Sequence, residues 1–324
     1  MFRFKSVVPS LRYFTTGKSV VFDIDGVLIH GAKAIPQAKK SLQLLDSNKI
    51  PFILLTNGGG YRESDRTKYL SQLIDYPFKS DHLVQSHTPM KTLNYNNVLV
   101  VGGQNDKSRY AALDYGFKNV VMPIDIVNAN RHIAPHAMYK ESDFQQYSKP
   151  WDGKPIDAIM VFNDPRDMGA DLQIILDLLN SEGGEIGTRR STKSSKPSIP
   201  IFFSNNDFEW SNEFPLPRFG QGVFRLVVET VYKEINGYDL ERTLYGKPFK
   251  IQYDYIKDLI GGKVYMIGDN PNSDIEGANL VGWESCLLRT GVYRGEQLEP
   301  NKTPTMGIFD NVLGAVESII DHKI

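Results

Sequence analysis

Apolar runs recur along the chain: SVVFDI from Ser19, PFILLTN from Pro51, NVLVVGG from Asn97, DAIMVFN from Asp157, PIFFSN from Pro200, VYMIGD from Val264 and ESCLLR from Glu284. Their Val, Ile and Phe residues follow one another without alternation. That is the pattern of parallel strands covered on both faces. Amphipathic stretches lie between them. Pro36 to Asn48 carries Ala38, Leu42 and Leu45 at helical spacing, with Pro36 placed early, and Val223 to Asn236 reads as a helix stopped by Gly237. The alternation predicts an α/β fold built on a doubly wound, mostly parallel sheet.

The middle of the chain differs from its ends. It holds GGEIGTRRSTKSSKPSIP, rich in Gly, Ser and basic residues, which reads as a solvated loop. No internal repeat is visible.

Composition narrows the function classes. The chain has 324 residues, enough for two domains, and a formal charge of −1. Such a balance argues against a general nucleic-acid binder. No run approaches the length of a membrane span. The lone Cys286 sits in an apolar, strand-like segment and reads as an inert buried thiol. No acid precedes Asp23, while Arg3, Lys5, Arg12 and Lys18 accompany several hydroxyl residues, the composition of a mitochondrial presequence. Arg12-Tyr13-Phe14-Thr15 resembles a matrix processing site, which predicts cleavage near Thr15 and a presequence over residues 1–14.

The candidate chemistry gathers at strand ends. In FDIDG, Asp23 and Asp25 stand two apart and project to one side as the strand finishes. Two carboxylates about 5 Å apart repel by roughly 3 kcal/mol at an effective dielectric of 20, so a proton or a cation must offset them. Val27 occupies a ligand position of an EF-hand loop and excludes that reading. LLTNGGG presents Thr56, Asn57 and Gly58, a hydroxyl, an amide and backbone N–H groups suited to phosphate oxygens. YGKP fixes Lys247 between Gly246 and Pro248, and VYMIGDNPNSD ends a strand with Asp269 and Asp274, hard oxygen ligands for a small divalent cation.

In this order the four stretches resemble the motifs of the haloacid dehalogenase-like (HAD) superfamily of phosphohydrolases. The insertion between Thr56 and Lys247 resembles the α/β cap of subclass IIA. FFSNNDFEW and PRFGQGVF, with the presequence, are similar to a eukaryotic mitochondrial branch related to the cat eye syndrome critical region protein. The resemblance divides the chain into core (15–95), cap (96–240) and core (241–324). It implies Asp23 as nucleophile, Asp25 as acid and base with its carbonyl on the metal, and Thr56 with the N–H groups of Asn57 and Gly58 around the phosphoryl group. Lys247 would neutralise charge, and Asp269 with Asp274 would complete an Mg²⁺ site. Asn205, Asn206 and Asp207 would meet substrate from the cap. Gly58 departs from the Thr-Asn-Asn of many relatives, which removes a side-chain contact but keeps a backbone donor.

The expected activity is Mg²⁺-dependent hydrolysis of a small phosphorylated metabolite in mitochondria, with caps able to pair into a homodimer. A silent binding protein of the same fold and a phosphotransferase are the alternatives. His132 and His136 lack the glutamate of a zinc-protease helix. Gly17-Lys18-Ser19 lacks the upstream glycine of a P-loop, and Gly220 to Gly222 lacks the third glycine of a dinucleotide fingerprint.

Overall fold

The computed structural model describes residues 17–210, 214, 216 and 218–323. The expected presequence and its processing site lie outside them. Among the described residues no helix is long and apolar enough to cross a membrane.

The described residues enter a parallel sheet with strand β1 (Lys18–Phe22), run through a small hairpin, β2 (Ile29–His30) and β3 (Lys33–Ala34), and return as β4 (Phe52–Leu55) and β5 (Leu83–Val84). It then leaves to build a second parallel sheet from β6 (Asn97–Val101), β7 (Asn119–Val121), β8 (Ala158–Val161), β9 (Ile201–Phe203) and β12 (Thr243–Leu244). A short antiparallel pair, β10 (Glu209–Trp210) and β11 (Arg218–Phe219), projects between the last two of these. The chain finally re-enters the first sheet as β13 (Lys263–Gly268), β14 (Glu284–Leu288) and β15 (Gly307–Phe309).

Among the described residues the first sheet has six strands in the order β15-β14-β13-β1-β4-β5. Its continuous apolar runs are explained by two buried faces. Val20, Phe22, Phe52, Leu54, Tyr265 and Ile267 pack on one side, under helices Ala38–Ser47 and Val312–Asp321. Val21, Ile53, Leu55 and Met266 pack on the other, under helix Lys250–Lys257. Successive side chains of a strand take opposite faces, so neither face can be polar. Truncating Phe22, fully buried in the central strand, should cost about 3–5 kcal/mol. The sheet is the doubly wound core the sequence predicts, and the second sheet is its inserted α/β cap.

Register then places the chemistry. Phe22 pairs with Ile267 on one side and Leu54 on the other. Asp23, Thr56 and Asp269 follow these partners by one or two residues, so they emerge together at the C-terminal edge of the sheet. That edge is where open α/β sheets bind ligands. Cys286 is fully buried in β14 and its thiol is pushed well above the ordinary range, by burial first and then Glu284. The helix predicted around Val223–Asn236 spans Gln221–Asn236, and Gly237 ends it with φ of 76°.

Candidate active site

Asp23 is buried, and its Oδ1 accepts a 2.5 Å hydrogen bond from Lys247 Nζ. The same ammonium donates to Asp274 Oδ1 at 2.6 Å and to the Leu55 carbonyl at 3.0 Å. Asp23, Asp269 and Asp274 each bring a carboxylate oxygen within 4.8 Å of the other two. One ammonium therefore faces three buried carboxyl groups.

The imbalance shows in the acidities. Burial pushes Asp23 well above the usual carboxylate range, with Asp274 and Asp269 adding to it and Lys247 opposing. Asp269 is raised to about 7, by burial first and then Asp274, against the pull of the Val292 N–H. Burial alone would depress Lys247, but Asp23 and Asp274 outweigh it and hold the ammonium above its ordinary value. A cluster of hard oxygen donors with surplus negative charge fits a divalent cation.

Close backbone approach makes the cluster possible. Gly26, at φ of 83°, and Gly291 both lie against the Asp269 carboxylate, and a methyl group on either would overlap it. Gly268 likewise leaves room for Asp274. Asp269 Oδ2 accepts from Val292 N at 2.6 Å. Asp274 has both oxygens engaged: beside Lys247 on Oδ1, its Oδ2 accepts from the N–H groups of Asp269 and Asn270 at 3.2 and 3.1 Å.

Asp25 is separate from this trio. Its side chain opens to the cleft, and the protein crowding it raises its pKa against the opposing pull of Arg66, Lys247 and His30. Thr56 and Asn57 are buried beside the cluster, and Thr56 Oγ1 accepts from Gly58 N at 2.9 Å. Asn57 does more than offer backbone. Its Oδ1 accepts from Lys247 N at 2.7 Å, and its Nδ2 donates to Lys247 O at 3.0 Å and to Asp207 at 3.1 Å.

Asp207 is thus a cap residue that reaches the core beside Lys247, and burial raises its pKa to about 6 against the pull of Asn57 and Lys247. Asn205 instead serves its own turn, accepting from Asp207 N at 2.8 Å. Asn206 has a buried Oδ1 without a hydrogen-bond partner among the described residues.

Tertiary contact adds residues that no local motif signals. His87, fully buried where the chain crosses to the cap, accepts from Gly60 N at 2.9 Å and lies 2.8 Å from Tyr115 OH. Its ring stacks on Phe162 of the cap at 4.4 Å and 4°. Tyr115 OH in turn donates to Glu63 at 2.5 Å. Asn163 Nδ2 donates to Gly59 O at 2.5 Å. The glycine loop that follows Thr56 is therefore clamped from the cap side. Arg66, the strongest cationic influence on Asp25, is a further residue that sequence reasoning missed.

A buried carboxylate paired with a lysine that also holds a second carboxylate, at the C-terminal edge of a parallel sheet, is the arrangement of a HAD-type hydrolase core. The chain belongs to this family: the haloacid dehalogenase-like hydrolase profile matches residues 20–118, and a HAD-hydrolase-like profile matches residues 244–315. A Saccharomyces cerevisiae protein named mitochondrial hydrolase YKR070W is 44% identical over 96% of this chain and 98% of its own. The p-nitrophenyl phosphatase of Archaeoglobus fulgidus has the same fold, with a TM-score of 0.65 and 16% identity over 94% of this chain and 100% of that one. The magnesium complex of glycerol phosphate phosphatase Rv1692 from Mycobacterium tuberculosis has a TM-score of 0.60 and 16% identity, over 94% and 76% of the two chains.

Proposed function

We propose that the protein is a mitochondrial, Mg²⁺-dependent phosphatase that hydrolyses a small phosphate monoester through an aspartyl-phosphate on Asp23. The observation that carries this reading is the buried Asp23–Lys247–Asp274 chain beside Asp269, at the sheet's C-terminal edge and under a cap loop. The relative named a mitochondrial hydrolase supports the location, and the fold shared with two phosphatases supports the substrate class.

Asp23, Asp269 and the Asp25 carbonyl would hold Mg²⁺, which when bound supplies charge neutralisation for the carboxylate and the phosphate. The saturated hydrogen bonding of Asp274 suits it to orient Lys247 and the Asp269–Asn270 loop. An Asp23 oxygen attacks phosphorus while the bond to the leaving oxygen breaks, and Asp25 gives that oxygen its proton. Water then attacks the phosphoryl group, Asp25 takes its proton, and the bond to Asp23 breaks to release phosphate. Thr56 and the Asn57 N–H receive the phosphoryl oxygens, the Gly58 N–H being given to Thr56 Oγ1, and Lys247 offsets their charge throughout. The unpaired Asn206 Oδ1 and Asp207 meet the leaving group from the cap.

A panel of phosphate esters assayed with Mg²⁺ and with chelator, for wild type and Asp23→Asn, tests this. Metal-dependent phosphate release by wild type and its loss in the variant are expected. Equal release from both proteins would refute the nucleophile.

A further inference from the structure

The cap sheet has a switch point of its own. Strand β6 is followed by helix Lys107–Asp114, whose Ala111 and Ala112 pack on one face of the sheet, and leads outward to β7. Strand β8 is followed by helix Met168–Leu179, which packs on the other face and leads to β9. The two neighbours thus send their connections to opposite sides, and the crevice between their C-terminal ends is where such sheets place ligands.

A cavity of about 310 Å³ occupies that crevice, bounded by Gly102–Gly103 after β6 and by Arg166–Asp167 after β8. Met122, Ile124, Met138, Tyr139 and Tyr147 supply its apolar and aromatic walls. Asp171, only 3% exposed, lines it as well. Beside Asp171 the cavity is lined by Asp167 and Arg166 ahead of its own helix, by Tyr139 in the loop opposite, and by Asp143 and Tyr147 on helix Glu141–Tyr147, while the buried Asp125, paired with Arg109, acts on Tyr139 as well. Arg166, exposed at the rim, is the single cation among the lining residues, and its backbone N–H is the group that reaches Asp171. Asp167 already accepts from the N–H groups of Ala170 and Met138, and Asp143 from that of Lys140. Asp171 is likewise held by a backbone donor, the Arg166 N–H, and by no cationic side chain among the described residues. Burial, and then Asp167, push it up to about 8. Tyr139 is raised by burial and then by the same two acids.

We propose that this cavity is a second ligand site, which binds an organic ammonium ion between the two tyrosines and Asp171. Aromatic faces, thioethers and a carboxylate lacking a counter-cation are together the chemistry that selects an alkylated ammonium over a neutral molecule. The ligand supplies the charge that the cavity lacks, so its arrival makes ionisation of Asp171 favourable and releases a proton. The site is remote in sequence from Asp23 and does not depend on the phosphatase reading.

Choline and its uncharged isostere 3,3-dimethylbutan-1-ol, titrated calorimetrically into the full-length protein at pH 7, test the proposal. Choline should bind at least about tenfold more tightly than the isostere. Its apparent enthalpy should differ between Tris and phosphate buffers, in proportion to a released proton. Asp171→Asn should weaken choline about tenfold and abolish the buffer dependence, and Tyr147→Leu should weaken it while keeping that dependence. The buffer dependence is read on wild type, so it decides the matter even if a variant fails to fold. No choline binding at 10 mM, equal binding of the isostere, or a buffer-independent enthalpy would overturn the proposal.

Discussion

Asn57 holds Lys247 by its peptide groups rather than by its charge: the side-chain amide accepts from Lys247 N at 2.7 Å and donates to Lys247 O at 3.0 Å. The ammonium is thereby aimed from 190 residues away in sequence. A misplaced cation costs rate before it costs binding, because charge accumulates in the transition state. Asn57→Ala is expected to lower kcat about 10–100-fold with little change in KM, and the two parameters measured on one ester check this.

Lys247 also holds two buried carboxylates of the core together. Replacing it by methionine leaves Asp23 and Asp274 buried without their shared partner, at a cost of about 3–5 kcal/mol. Urea unfolding in chelator should show that loss, and saturating divalent cation should return part of it by binding the folded state.

Gly291 tests the backbone route to the metal. A methyl group there overlaps the Asp269 carboxylate and must displace it. Gly291→Ala should weaken Mg²⁺ activation about 10–100-fold and cost about 1–3 kcal/mol of stability in chelator, less than the loss of Lys247. A metal titration of activity beside a melting curve separates the two effects.

His87 predicts a pH dependence of stability. Burial lowers its pKa to about 3, and the Gly60 N–H it accepts requires a neutral ring. The unfolded chain takes up this proton near 6.5 and the folded chain only near 3, so its contribution to stability is present above 6.5 and is lost as pH falls through that window. The slope is about 1.4 kcal/mol per pH unit. The stability difference between wild type and His87→Gln should therefore shrink from pH 7 to pH 4, read by denaturant titration.

The strands of the core were legible because both faces are buried and leave unbroken apolar runs such as Phe52–Leu55. The two-residue strands β5 and β12 were not, since pairing rather than composition makes Leu83–Val84 and Thr243–Leu244 extended. Asp23, Thr56, Lys247 and Asp269 could be found because each sits beside a strand end or a rigid turn. His87, Tyr115 and Asn163 could not, because their neighbours come from the other sheet. The loop GGEIGTRRSTKSSKPSIP reads as solvated by its charge, yet Arg190 within it donates to Lys196 O at 2.6 Å and to Tyr232 OH at 2.8 Å. Asp207, expected to meet substrate from the cap, also accepts from Asn57 of the core, a contact that no local motif signals.

The order of the strands has a consequence during synthesis. β1 is paired with β4 on one side and with β13 on the other, and β13 is made only after the whole cap has emerged. Until then the nascent chain carries a bare, apolar strand edge, the feature that recruits unwanted partners. A ribosome stalled at the end of the cap would therefore present a polypeptide that needs a chaperone, with its first aspartates waiting for a lysine not yet translated.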